Sequence, residues 1–233
     1  MLQAVIIAGG LATRLRPLTE KIPKSLVDVN GIPFVFYQLK LLNQNGIDRA
    51  LLCLGYLGEQ VVDILGTEKF GVSLSYSFEG KVLLGTAGCL KQALPLLEEH
   101  FFVLYGDSYL PCDYSDVEAD FFGQKKPALM TVFQNKDCFD TSNVEFQSGK
   151  ILRYSKTEKK ATMQHIDYGL GVFSREVIAA LPEGKLDLAE VYQQLLREGK
   201  LAAYEVKERF YEVGSFSGIQ DLSDYLMRRG GDV

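Results

Sequence analysis

Residues 4–26 constrain the chain more than any other stretch. Ala4-Val5-Ile6-Ile7-Ala8 runs into Gly9-Gly10, and Thr13, Arg14, Arg16, Lys21 and Lys24 follow. The opening run is apolar, β-branched at its centre and without polar alternation, which predicts a strand covered on both faces. Gly-Gly at its end lets backbone approach a ligand closely. Backbone N–H groups with Arg and Lys behind them suit a polyphosphate. On spacing alone, a tight βα turn with a solvated basic face fits equally well. The stretch is neither Gly-x-Gly-x-x-Gly nor Gly-x-x-x-x-Gly-Lys-Ser/Thr, which counts against a dinucleotide dehydrogenase and a P-loop protein.

Further along, apolar runs alternate with helical patterns. Strands are expected at 49–54, 72–78, 101–105 and 128–133, and helices from Pro33 to about Asn45, over 56–65 and from Leu84 to about Leu94. Ser115 with Glu118 reads as a capping box for a helix near 116–123. This alternation predicts an α/β three-layer fold with a doubly wound, mainly parallel, Rossmann-like sheet, in which ligands bind at the carboxyl ends of the strands. The glycine loop and Asp107, in Gly106-Asp107, both lie at such ends. From about residue 135 the pattern becomes strands at 143–146, 151–154 and 166–173 joined by turns. Ser174, Asp187 and Ser217 read as helix caps, and 201–206 as a strand. The expected organisation is one domain over 1–233, with one half to about 134 and the other from about 135.

Composition narrows the function classes. With a net charge of -5, the cations of the first loop are a local feature, and no basic footprint for nucleic acid is present. No apolar run approaches the ~20 residues that span a bilayer, so no membrane partner is expected. Cys53, Cys89, Cys112 and Cys138 form no Cys-x-x-Cys and read as reduced core or near-core thiols of a cytoplasmic protein. His100 and His165 are the only histidines, too few for a zinc centre or a histidine triad.

Gly9-Gly10-Leu11-Ala12-Thr13-Arg14-Leu15, Pro17-Leu18-Thr19 and Pro23-Lys24 resemble the signature of the sugar-1-phosphate nucleotidyltransferases (NDP-sugar pyrophosphorylases), with Ala12 where that signature has glycine. The likeness extends from Ala4 to about Leu222, and implies that the half to about 134 binds the nucleotide and the half from about 135 the sugar. It is strongest to the short guanylyl- and uridylyltransferases of nucleotide-sugar and cell-surface polysaccharide biosynthesis. It implies transfer of a nucleotidyl group from an NTP to a sugar 1-phosphate with release of pyrophosphate, with GTP and a manno-configured sugar favoured. Other uridylyl-, thymidylyl- or cytidylyltransferases, and a non-catalytic nucleotide-sugar sensor, stay open. So does the oligomeric state, a homo-oligomer included.

The resemblance also implies roles. Ala8, Gly9, Gly10, Thr13, Glu79 and Leu84-Gly85-Thr86-Ala87-Gly88 would hold the nucleotide, the last stretch offering free N–H groups at a helix start. Asp107 and Glu212 would hold Mg²⁺, with Glu212 in Phe210-Tyr211-Glu212-Val213-Gly214-Ser215 standing where the family has Asp. Arg14 would hold pyrophosphate, and Lys24 the α-phosphate. Asn143, Glu145, Lys156, Asp167 and Gly169 would face the sugar phosphate. Asp107 alone equally suits a turn residue, Glu212 a surface residue before a glycine turn, and Lys156 a solvated basic loop.

Overall fold

The computed structural model describes residues 1–10, 13–80 and 82–229. Leu11, Ala12 and the side chain of Thr13 lie outside the described residues. β1 (Gln3–Ala8) is followed by three short 3-10 turns, Thr13–Leu15, Leu18–Glu20 and Lys24–Leu26. Next come β2 (Asp28–Val29), β3 (Ile32–Pro33), α1 (Phe34–Gln44), β4 (Arg49–Leu54), α2 (Gly58–Leu65), β5 (Glu68–Lys69), β6 (Val72–Phe78) and α3 (Gly85–Gln92). After them run β7 (His100–Tyr105), β8 (Ser108–Tyr109), α4 (Tyr114–Gln124), β9 (Ala128–Gln134), β10 (Val144–Gln147), β11 (Lys150–Tyr154) and β12 (His165–Ser174). The chain closes with α5 (Arg175–Ala179), α6 (Leu188–Arg197), β13 (Leu201–Val206), β14 (Tyr211–Glu212) and α7 (Phe216–Arg228).

The main sheet runs β11-β10-β12-β7-β1-β4-β6-β5, with β9 against β12 and β13 against β9. Its centre, β7-β1-β4-β6, is parallel, as the α/β alternation predicts. β12 enters antiparallel to both β7 and β9. The doubly covered first strand is observed directly. Ala4 and Ile6 pack into the layer formed with α1, α2 and α4, while Val5 and Ile7 pack into the opposite layer with α3, α5 and α6. Successive strand residues point to opposite faces, so an uninterrupted apolar run is what both layers need. A third, smaller cluster joins α1 to α7 through Tyr37, Leu41, Val213 and Leu222.

Three caps differ from expectation. Asp113 caps α4, accepting from the N–H groups of Ser115 and Asp116 at 2.8 and 3.2 Å, so the cap lies two residues before Ser115. Ser215, not Ser217, caps α7 by accepting the Gly218 N–H at 3.1 Å. Ser174 precedes α5 without a side-chain cap bond. Asp187 does cap α6, taking the Ala189 N–H at 2.8 Å. Cys53, Cys89 and Cys112 are buried, whereas Cys138 is exposed rather than near the core. No helix among the described residues is long and apolar enough to cross a membrane.

Candidate active site

The end of β1 delivers Ala8 and Gly10 to the wall of a narrow cleft of about 190 Å³, with Lys24, Thr86, Tyr105 and Asp107 around it. Gly9 lies against Glu79: a Cβ there would collide with the Glu79 Oε1. Glu79, just past β6, accepts the Leu84 N–H on its other oxygen at 2.6 Å. Burial raises its pKa, and the Leu84 N–H opposes that shift. A side chain at position 9 would have to displace the Glu79 carboxylate.

The start of α3 departs in part from the expectation of free donors. The N–H groups of Ala87 and Gly88 both donate to the Leu186 carbonyl, at 3.0 and 3.2 Å. Gly85, at φ +74°, and Gly88 leave room for that segment, since a Cβ on either would come within 2.6 Å of the Leu186 carbonyl oxygen or 2.5 Å of that of Gly184. Ala87 is fully buried in the layer behind. Only Thr86 of this group reaches the cleft wall. Its Oγ1 accepts the Leu188 N–H at 2.7 Å and so ties α3 to the first turn of α6.

Asp107 and Glu212 are joined by a two-stranded ribbon. β8 and β14 pair antiparallel with Glu212 opposite Ser108, and the Val213 N–H donates to the Asp107 carbonyl at 2.9 Å. Lys24 forms an ion pair with the Asp107 carboxylate. Gly214 follows, and the space its side chain would fill is bordered by the Arg14 guanidinium at 3.1 Å and the Lys24 ammonium at 3.3 Å. Four residues chosen for charge, Arg14, Lys24, Asp107 and Glu212, therefore converge. Burial and the charges of Asp107 and Asp140 push the Glu212 carboxyl up to about 7, against the pull of Lys24 and Arg14.

Do these residues fit a metal? Among the described residues no cluster of three His, Cys, Asp or Glu side chains is arranged to hold one. Mg²⁺, however, is commonly held by one or two carboxylates plus substrate phosphates. A hard-oxygen pair in which one carboxyl is raised by its neighbours matches that pattern, because a cation would relieve the repulsion.

A wider cleft of about 560 Å³ opens beside this cluster, lined by Arg14, Asn143, Lys156, Asp167, Gly169 and Glu212. The pairing of β12 with β9 shifts register between Asp167 and Gly171, and such irregularities re-aim side chains. Asn143 Oδ1 accepts the Asp167 N–H at 2.9 Å. The Asp167 carboxylate accepts from the Gly169 N–H and from the Tyr154 hydroxyl, both at 3.1 Å. Burial raises its pKa, and Lys156 opposes the rise. Lys156 Nζ lies 3.9 Å from Asp187 and 5.5 Å from the centre of the Tyr105 ring. Glu145 is not among the residues lining this cleft. It lies opposite Arg153 on β11, 3.8 Å from its guanidinium, because alternation along β10 turns Val144 inward and Glu145 away.

The nucleotidyl transferase family model matches residues 3–228. The chain belongs to that family. The chain is 30% identical over 223 residues to the mannose-1-phosphate guanylyltransferase catalytic subunit beta of Xenopus tropicalis, covering 91% of this chain and 61% of that protein. The chain thus spans about three fifths of that relative's length. It is 29% identical over 216 residues to the D-glycero-alpha-D-manno-heptose 1-phosphate guanylyltransferase of Campylobacter jejuni, covering 91% of this chain and 95% of that one. The inositol-1-phosphate CTP transferase from T. maritima shares the fold, with a TM-score of 0.82 at 23% identity, over 100% of this chain and 98% of that one.

Three residues not expected at the site from the sequence complete the picture. Tyr105 borders both clefts, Asp140 lies close enough to raise Glu212, and Asp187 faces Lys156. Tyr105 immediately precedes Gly106-Asp107, so its place at the strand end was readable. Nothing local marks Asp140, and Asp187 reads locally only as the cap of α6; both reach the site through tertiary folding.

Proposed function

We propose that the chain transfers a guanylyl group from GTP to a manno-configured sugar 1-phosphate, mannose or heptose, with release of pyrophosphate. The observation that carries this reading is the convergence of Arg14 and Lys24 over Gly214, beside Asp107 and Glu212 and between the two clefts. A sugar 1-phosphate, with a second pKa of about 6, is mostly a dianion at neutral pH and needs no general base. Its oxygen attacks the α-phosphorus in line, so positioning and charge neutralisation carry the catalysis. Arg14 takes the leaving pyrophosphate, Lys24 the α-phosphate and Lys156 the incoming phosphate. Asp107 and Glu212 would hold Mg²⁺, which when bound offsets the charge of the two phosphate-bearing reactants.

Glu79 supports guanine. A carboxylate only accepts hydrogen bonds, and guanine presents adjacent N1–H and N2–H donors, whereas uracil and thymine present one donor between acceptors. Glu79 Oε1, turned to Gly9, is the oxygen not engaged by Leu84. The guanylyltransferase relatives agree with this choice. Three buried free thiols suit a cytoplasmic location. A second reading, a nucleotide-sugar sensor, is favoured by one observation: Lys24 already occupies the Asp107 carboxylate. Pyrophosphate release across a panel of triphosphates and sugar 1-phosphates separates the two. Mg²⁺-dependent release with GTP and mannose or heptose 1-phosphate is the expected result. Binding of GDP-mannose without turnover would favour the sensor.

A further inference from the structure

Tyr105 ends β7 where the two clefts meet and borders both. Its backbone is pinned. The buried Gln38 side chain donates to the Tyr105 carbonyl at 2.9 Å and to that of Ser108 at 2.8 Å. Its hydroxyl is buried and has no hydrogen-bond partner among the described residues. An unpartnered buried hydroxyl is a cost, so that group gives the position no stabilising hydrogen bond.

The ring has a clearer relationship. The Lys156 ammonium lies 5.5 Å from its centre, within reach of a cation–π attraction. Lys156 also lies 3.9 Å from Asp187, with side chains 42% and 49% exposed, and near enough to the buried Asp167 carboxyl to oppose its raised pKa. Exposed pairs of that kind hold a long side chain only weakly. A ring fixed at a strand end offers a face that does not itself move.

We propose that Tyr105 is a positioning residue whose ring face holds the Lys156 ammonium at the junction of the clefts, ready for the phosphate of the sugar 1-phosphate. The hydroxyl takes no part. This rests on the sugar-1-phosphate reading above. Losing the ring frees Lys156 to follow Asp187, Asp167 or solvent, and weakens the sugar-phosphate subsite while leaving the nucleotide subsite alone.

The test uses Tyr105→Leu, with Tyr105→Met alongside in case the smaller residue lowers the melting temperature. Either change raises KM for mannose 1-phosphate by about 3- to 10-fold, the worth of one cation–π contact, and leaves KM for GTP within about 2-fold. Tyr105→Phe, which keeps the ring, restores the wild-type value. In Lys156→Met, removing the ring costs nothing more, as a shared interaction requires. A general packing defect would instead raise both KM values. Equal losses in Tyr105→Phe and Tyr105→Leu, or losses additive with Lys156→Met, overturn the proposal.

A second readout does not depend on turnover. Acetic anhydride labelling, followed by peptide mass spectrometry, is expected to modify Lys156 about 3-fold faster in Tyr105→Leu than in Tyr105→Phe, with Lys159 as the internal standard. Equal labelling contradicts the role of the ring. A wild-type protein that releases no pyrophosphate from any substrate pair would overturn the proposed function instead, and the labelling result would still decide this one.

Discussion

The N–H of Val213 donates to the carbonyl of Asp107 at 2.9 Å, and this bond sets Glu212 beside the Gly-Asp turn. The two segments come from opposite halves of the chain. Only the short β8–β14 ribbon joins them, with Tyr211 opposite Tyr109 and Glu212 opposite Ser108. The ribbon is backed by α7 and α1 through Tyr109, Val213 and Leu222. Backbone and core therefore bring the two carboxylates together, and Lys24 pairs with the Asp107 carboxylate.

Glu212 gives the site a pH signature. Its carboxyl is raised from 4.5 to about 7, first by burial and then by Asp107 and Asp140. The folded state thus holds this proton more tightly than the unfolded state. Its contribution to stability is full below the unfolded value and is lost as pH rises through about 7. Mg²⁺ competes for the deprotonated form. The rise in melting temperature on adding Mg²⁺ is expected to be small near pH 6 and to grow by about pH 8. Glu212→Gln should abolish that growth. A Mg²⁺ effect that is independent of pH, or unchanged in Glu212→Gln, contradicts the assignment.

Gly214 tests the cation pair without touching a charge. Its backbone is not in the left-handed region, and an added methyl would press on the ends of two flexible side chains, Arg14 and Lys24. Gly214→Ala is expected to fold with a nearly unchanged melting temperature. Displacing both cations should lower kcat by about 10- to 100-fold, in line with the cost of misplacing catalytic groups. Unchanged kcat would show that these cations do not serve the reacting phosphates.

Glu79 is expected to set the base. Glu79→Gln turns one acceptor into a donor beside Gly9. The ratio of kcat/KM for GTP over UTP should fall by at least about 10-fold, since a buried polar mismatch is costly. An unchanged ratio would remove Glu79 from base selection.

Gly85 is a packing position. At φ +74°, and with a Cβ that would fall 2.6 Å from the Leu186 carbonyl oxygen, alanine meets strain and a clash together. Gly85→Ala should destabilise the fold by about 2 kcal/mol, read by urea denaturation. Full stability in that variant would contradict the geometry.

Much of this was legible in the sequence, and the exceptions share a cause. The apolar run 4–8 predicts the central strand because a period-two backbone exposes both of its faces to core. Gly9-Gly10 and Gly106-Asp107 mark strand ends, and the structure places Ala8, Gly10 and Asp107 on one cleft wall. Arg14, Lys24 and Glu212, to which the family resemblance gives roles, lie together. The family resemblance makes Gly85, Ala87 and Gly88 ligand contacts, yet the N–H groups of Ala87 and Gly88 and the missing side chains of Gly85 and Gly88 serve the segment 184–186, a partner invisible to local reading. Glu145 shares its strand with buried Val144, and strand alternation turns it to Arg153. The displaced caps, Asp113 for Ser115 and Ser215 for Ser217, show that several hydroxyl and carboxylate residues competed for one helix start. Tyr105 and Asp187 gain meaning only when Lys156 comes between them.

The most direct measurement is pyrophosphate release from purified protein with GTP and mannose 1-phosphate or heptose 1-phosphate, with and without Mg²⁺. The account predicts release that requires both substrates and the metal, and that falls sharply in Arg14→Ala while the fold is kept. Folded protein that binds nucleotide yet releases no pyrophosphate with any triphosphate and sugar 1-phosphate would contradict it.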